Sequence, residues 1–173
     1  ALRLSKNAMD EMEKREWAPG GVARLADIAL IGTALTGGEA ESVVARLEPP
    51  SEWRDVLRAG DRFQKISAIL DRDDLQASEI VELLAAFPVA ALEAQYAIAP
   101  PLLRRDRLSA YLNDYRHVSP ELDGDDLLGL GVLEGPAVGQ LLRELRDARL
   151  DRKISSRFEE EALVKRYLRA RPL

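Results

Sequence analysis

Apolar residues recur along this chain at the three-to-four-residue spacing of amphipathic helices, and polar or helix-breaking residues cut the pattern into short pieces. Residues 1–16 carry Leu4, Ala8, Met9 and Met12 at that spacing, with Ser5 as a candidate N-cap, and Ala18-Pro19-Gly20-Gly21 breaks the segment. A second predicted helix covers 22–35, with Leu25, Ile28, Ala29 and Gly32 as its packing face and Gly37-Gly38 as its stop. A short helix over 39–47 ends before Pro49-Pro50. Ser51 then reads as an N-cap, with Arg54 where a capping-box Glu would stand. Residues 53–70 fit one or two helices joined at Gly60, carrying Trp53, Val56, Leu57, Phe63, Ile66, Ile69 and Leu70.

Beyond the acidic Asp71-Arg72-Asp73-Asp74, a helix over 78–87 places Ile80, Leu83, Leu84 and Phe87 on one stripe. Pro88 suits the first turn of the next helix, which carries Ala91, Leu92, Gln95 and Tyr96. After Pro100-Pro101 the segment 102–115 sets Leu108, Tyr111, Leu112 and Tyr115 on one face. Asp123-Gly124-Asp125-Asp126 precedes a short apolar helix, Leu127-Leu128-Gly129-Leu130. A stronger helix starts near Pro136, with Val138, Leu141, Leu142, Leu145 and Ala148 on one side. The last helix is capped by Ser155 or Ser156. Glu159, Glu160 and Glu161 suit its start, and Lys165, Arg166 and Arg169 its end.

Composition sharpens this pattern. The 173 residues hold 24 Ala and 28 Leu against 10 Val, 7 Ile and 2 Thr. That balance favours helix, because β-branched side chains lose more rotamer freedom there. The expectation is an all-α array of about nine to eleven short to medium helices. It divides into a helical body, 1–106, and a helical tail, 107–173, with a glycine-rich helix-turn-helix and a basic face. Without cysteine there are no disulfides, thiolate zinc sites or Cys nucleophiles, and a single histidine, His117, excludes His-rich metal sites. The uncharged stretch 28–38 falls short of the ~20 apolar residues of a membrane span. No apolar leader follows Ala1, so a cytoplasmic location is expected, and a start at Ala1 suggests a fragment or processed product.

The net charge of −5 argues against a generally cationic nucleic-acid binder, yet it averages two unlike parts. Residues 1–100 carry 11 Lys/Arg against 17 Asp/Glu, whereas 135–173 carry 10 against 6. The basic end coincides with Gly131-Val132-Leu133-Glu134-Gly135-Pro136-Ala137-Val138-Gly139. Glycines at 131 and 135 permit positive φ. The helix that follows would aim N–H groups and its positive dipole end at a phosphate, with Arg143, Arg146, Arg149, Lys153 and Arg157 behind it. The same string also suits an ordinary inter-helix turn with a solvated charged face.

Residues 111–168 resemble the C-terminal part of bacterial tRNA nucleotidyltransferases of the poly(A) polymerase family, the CCA-adding and A-adding enzymes. The matching pieces are residues 122–128 (Leu-Asp-Gly-Asp-Asp-Leu-Leu), Leu130-Gly131-Val132, Gly135-Pro136-Ala137-Val138-Gly139 and Leu141-Leu142. Ala148-Arg149-Leu150-Asp151 and residues 159–164 continue it, with a weaker echo in Ala77-Ser78-Glu79-Ile80. Arg152 departs from the family's usual glycine, and Glu134 from its common proline.

The resemblance implies a division of labour. A separate head performs nucleotidyl transfer with Mg and ATP or CTP, held by a Gly-Ser and a following Asp-x-Asp. The helical remainder grips tRNA, its tail reaching toward the elbow. No cofactor is expected in this chain and no catalytic residue is assigned. The RNA contacts are expected at Gly135, Pro136, Ala137, Val138, Gly139, Arg143, Arg146, Arg149, Lys153 and Arg157. The alternative is a helical protein–protein or homodimerisation module. Asp71-Arg72-Asp73 lacks a preceding Gly-Ser and reads as a loop or cap. His117 reads as a helix-end or surface residue, and Trp17, Trp53, Tyr111 and Tyr115 read as core.

Overall fold

The structure, a computed structural model, describes residues 22–36, 38–100 and 102–170. The predicted helix over 1–16, its break and Trp17 lie outside the described residues. Among the described residues every regular element is helical, as the apolar spacing and the Ala/Leu excess predict. The described residues form nine α-helices and two single 3₁₀ turns, and no strand. The helices are α1 (Val22–Ala34), α2 (Glu39–Leu47), α3 (Ser51–Ser67), α4 (Ala77–Leu84), α5 (Val89–Ile98), α6 (Leu103–Asn113), α7 (Gly124–Gly129), α8 (Pro136–Leu150) and α9 (Arg157–Ala170). The 3₁₀ turns are Ile69–Asp71 and Tyr115–His117. Among the described residues no helix is long and apolar enough to cross a membrane.

The chain forms two compact units, one of Ala1–Leu75 with Glu82–Asn113 and one of Gln76–Val81 with Asp114–Leu173. In the first, α1 and α3 meet backbone to backbone. Gly60 sits inside α3, not at a joint between two helices, and a Cβ there would lie 1.8 Å from the carbonyl oxygen of Gly32. A Cβ on Gly32 would in turn lie 2.9 Å from the carbonyl oxygen of Val56. Only a residue without a side chain fits at this crossing, which is why a helix-weakening residue is found mid-helix. Around it pack Ala29, Leu30, Val56 and Ala94, with Leu25, Ile28 and Ala90 partly buried beside them.

Ion pairs and ring contacts tie the remaining elements of this unit. The Arg58 guanidinium donates to both carboxylate oxygens of Glu41, at 2.7 and 2.8 Å, linking α3 to α2. Arg104 pairs with Asp71. Buried Arg107 donates to the carbonyl of Leu70 at 2.7 Å, which fixes the first 3₁₀ turn against α6. Phe63 and Phe87 meet edge to face at 5.9 Å. Ser51 does not cap α3: Pro50 stands at the cap position, and no side-chain hydrogen bond is made there. With Pro50 immediately before it, Ser51 opens the helix itself. Pro88 likewise precedes α5 and does not enter its first turn.

The second unit is built on Leu122, Leu127, Val132, Leu141, Leu145, Ala148, Ile154 and Val164. The predicted inner face of α8 is recovered, with Leu141, Leu145 and Ala148 buried and Val138 and Leu142 packed at the margin. Both ends of the short α7 are closed locally. Asp123 and Asp126 form a reciprocal capping box at its start. Gly131, at φ +99°, ends it: its N–H donates to the Leu128 carbonyl and that of Val132 to the Leu127 carbonyl, both at 3.0 Å.

Substituting Gly60→Ala is expected to lower stability by about 1–3 kcal/mol or more through forced separation of two backbones. Gly38→Ala, where an added Cβ meets nothing within 4 Å, should stay within roughly 0.5 kcal/mol of the parent. Urea unfolding of the two variants side by side measures the contrast.

Candidate nucleic-acid interface

The glycine-rich turn is held from both sides. Gly131 is consumed in stopping α7, and Val132 buries its side chain beside Leu127. Gly135 then takes φ +134°, ψ −156°, a region that is essentially glycine-only, and serves as the N-cap of α8. Pro136 occupies the first turn, where its missing N–H has no intrahelical partner to lose. No side chain caps this terminus, and Gly135 and Pro136 are exposed. Ala137 and Val138 anchor the turn by packing against the core, and Gly139 is half-buried with them. The predicted positive φ at both glycines is therefore present. The two glycines do different work: one terminates a helix, the other opens one.

The five basic residues separate into two groups. Arg143 is exposed and makes no ion pair among the described residues. Its guanidinium lies back over the first turn of α8, where a Cβ on Gly139 would meet its Nη1 at 3.9 Å. Arg146, one turn on, is half-buried, and its Nε is buried without a hydrogen-bond partner. The other three are already engaged with carboxylates. Arg149 donates to Glu121 Oε1 at 2.8 Å and to Glu160 Oε1 at 2.5 Å. The Glu121 bond, then that of Glu160, raises its pKa above the ordinary arginine value. Arg157 bonds Asp126 at 2.5 Å and approaches Glu161 at 3.8 Å. The Asp126 bond raises its pKa likewise and holds the Asp126 carboxyl below the usual range. Lys153 pairs with Asp151 at 3.0 Å. The structure thus brings Arg149 and Arg157 together around Glu121, and leaves Arg143 and Arg146 on α8 behind the turn.

Three acidic contacts organise this unit, and only one was visible in the residue order. Glu159 accepts the N–H groups and hydroxyls of both Ser155 and Ser156 at 2.7–3.2 Å, so both serines serve the start of α9. Glu160 is fully buried. It accepts the backbone N–H groups of Glu121 (3.1 Å) and Leu122 (2.8 Å) together with Arg149. Its position four residues before buried Val164, on the apolar stripe of α9, is the signal that could have found it. Asp151 accepts the Ser78 backbone N–H at 3.0 Å and the Ser78 hydroxyl at 2.9 Å. Two separate strings of the family resemblance, Ala77–Ile80 and Ala148–Asp151, are joined by these bonds. Burial pushes the Asp151 carboxyl up, but the Ser78 N–H and the Lys153 ammonium overcome it and leave the group below its ordinary value.

Arg152 occupies a backbone position that suits glycine. It sits at φ +57°, just past α8, in the left-handed conformation that glycine adopts without strain. Its N–H donates to the Arg149 carbonyl at 3.0 Å and that of Lys153 to the Ala148 carbonyl at 2.8 Å, which completes the helix stop.

Other candidates fall into ordinary roles. Asp71 pairs with Arg104, and Arg72 bonds Asp74 at 2.6 Å. No group of three or more potential metal-ligating side chains occurs among the described residues. His117 is exposed in a 3₁₀ turn, where its Nε2 accepts from Arg116 Nε at 3.0 Å. Tyr111 is buried, and Trp53 and Tyr115 are half-buried. No family model, curated protein or solved structure matches the chain.

Two outcomes follow from the helix ends. Arg152→Gly is expected to stabilise the protein by about 1 kcal/mol, read as a higher urea midpoint, because it relieves a left-handed non-glycine residue. Asp151→Ala is expected to lower stability in a pH-dependent way. A carboxyl whose folded pKa is depressed contributes fully above its unfolded value of ~3.9 and loses that contribution as pH falls through the folded one. The gap between parent and variant should therefore be constant from pH 7 to about pH 5 and narrow below ~3.9.

Proposed function

We propose that this chain is the RNA-gripping helical portion of a cytoplasmic tRNA nucleotidyltransferase or poly(A)-polymerase-like enzyme. In this reading nucleotidyl transfer, with its Mg and ATP or CTP, belongs to a head that the residues discussed here do not supply. The observation that carries the reading is the open N-terminus of α8, with an unpaired Arg143 guanidinium folded over its first turn. That arrangement offers backbone N–H groups, a helix dipole and an exposed positive charge to one phosphate, a combination suited to anions. The motif strings that resemble the family supply the RNA half of the argument, and they lie together in the second unit.

The mechanism is electrostatic and shape-based. Phosphates of folded RNA settle at Gly135–Gly139, and Arg143 and Arg146 add charge without reading bases. Arg149, Lys153 and Arg157 contribute less than their charges suggest, because carboxylates at 2.5–3.0 Å already offset them. Their service is to hold the surface that Arg143 stands on.

A second reading, a protein-binding or homodimerising module, is favoured by exposed apolar side chains in the same unit. Phe158 is 79% exposed and Leu133 63%. Titration with tRNA at two salt concentrations distinguishes the two. On the RNA reading, Arg143→Glu/Arg146→Glu weakens binding by about tenfold or more and flattens the salt dependence, while Lys153→Ala changes it little. Unchanged affinity in the double variant removes the site. A tight dimer with no RNA affinity, seen by light scattering, selects the second reading.

A further inference from the structure

The first unit carries a concavity that the RNA reading leaves unused. A cavity of about 430 Å³ opens on its surface, floored by Leu25 of α1, Val56 of α3 and Val89 of α5. Its rim is formed by Glu52 and Asp55 from α3 and Glu93 from α5. The floor is apolar, and Val89 is 41% exposed within it. Glu52 and Asp55 are both exposed and neither forms an ion pair among the described residues. Arg58 of α3, which Asp55 also attracts, gives both of its hydrogen bonds to Glu41. An apolar trough beside the exposed carboxylates of Glu52 and Asp55 is a surface that repels polyanions and attracts cations.

We propose that this groove docks a basic amphipathic helix from a partner protein. Apolar side chains at i, i+3 or i+4 of that helix would enter the trough, and flanking Lys or Arg would meet Glu52 and Asp55, in the helix-in-groove mode. Charge complementarity sets the sign of the partner: residues 1–100 hold 17 acids against 11 bases. Two occupants from this chain fit less well. Residues 1–21 carry four basic and four acidic side chains and so bring no net positive charge. A second copy offers no exposed apolar stripe, because among the described residues no two exposed large apolar side chains lie three or four apart on one helix. Its most exposed one, Phe158, is followed directly by Glu159, Glu160 and Glu161.

The test uses the full chain and a labelled synthetic helix of Leu, Lys and Ala with its leucines on one face, followed by fluorescence anisotropy. Controls are the same composition with the leucines scrambled around the helix, and a Leu/Glu/Ala version. Binding is expected for the Leu/Lys/Ala amphipathic helix alone and should weaken as salt rises. A loss of about tenfold is expected in Glu52→Lys/Asp55→Lys. Both positions are exposed, so far-UV circular dichroism should report an unchanged fold. Val89→Asp tests the floor separately and should also weaken binding. The proposal is overturned if the scrambled helix binds as tightly, or if the rim and floor variants leave affinity unaltered. Sedimentation showing self-association that the same variants abolish would also overturn it, by identifying a second copy as the occupant.

Discussion

The second unit depends on one carboxylate placed where water cannot reach it. Glu160 is 0% exposed, and a charge moved from water into such a place loses several kcal/mol of solvation unless donors replace the water. Three donors do so: the backbone N–H groups of Glu121 and Leu122, and the Arg149 guanidinium. They come from two stretches of chain, the adjacent Glu121 and Leu122 before α7 and Arg149 near the end of α8, so satisfying Glu160 ties both to the start of α9. The turn at Gly131–Gly135 lies between two of these fixed points. Its open helix terminus is therefore presented by a rigid frame, and the part of the surface proposed to meet phosphate is preorganised without contacting Glu160 at all.

The same network changes how the basic surplus of the C-terminal segment should be weighed. Counting charges treats Arg143 and Arg149 as equals, but a guanidinium held between two carboxylates attracts an external phosphate far less than one left in solvent. Lys153 and Arg157 are likewise offset by Asp151 and Asp126. Positive potential is accordingly narrower than the residue count implies, and it is centred on the side of α8 that carries Arg143 and Arg146. A phosphate approaching there also meets exposed Glu134 just before Gly135, which opposes it. Affinity at this turn is thus a difference between attraction from α8 and repulsion from its neighbour.

Helix periodicity was legible throughout because it repeats locally. The inner faces of α6 and α8 follow from spacing alone, that of α1 only in part, since Ala26 and Leu30 are buried where Leu25 and Ile28 were expected. The special backbone of Gly131 and Gly135 follows from residue type. Contacts between residues distant in sequence were not legible. Spacing left open whether one helix or two met at Gly60, and only the partner Gly32, 28 residues away, shows that it is a point of helix contact within one helix. Ser78 and Asp151 are separated by 73 residues, and nothing local to either announces the other. Glu160 was hidden differently: it stands in a run of three glutamates whose shared fit to a helix start masked one member with a distinct role.

The crossing of α1 and α3 has a consequence for how that unit responds to heat. Side chains packed between helices lose rotamer freedom on folding, by up to about 2 kcal/mol for the long ones. The Gly32–Gly60 junction immobilises none, since neither partner has a rotamer to lose. The restraint there is borne by main chain alone, and its cost falls entirely on backbone entropy, which is largest for glycine. Such a junction has no partly loosened intermediate in which side chains rattle while the helices stay put. It is either closed, with peptide against peptide, or the two helices have parted.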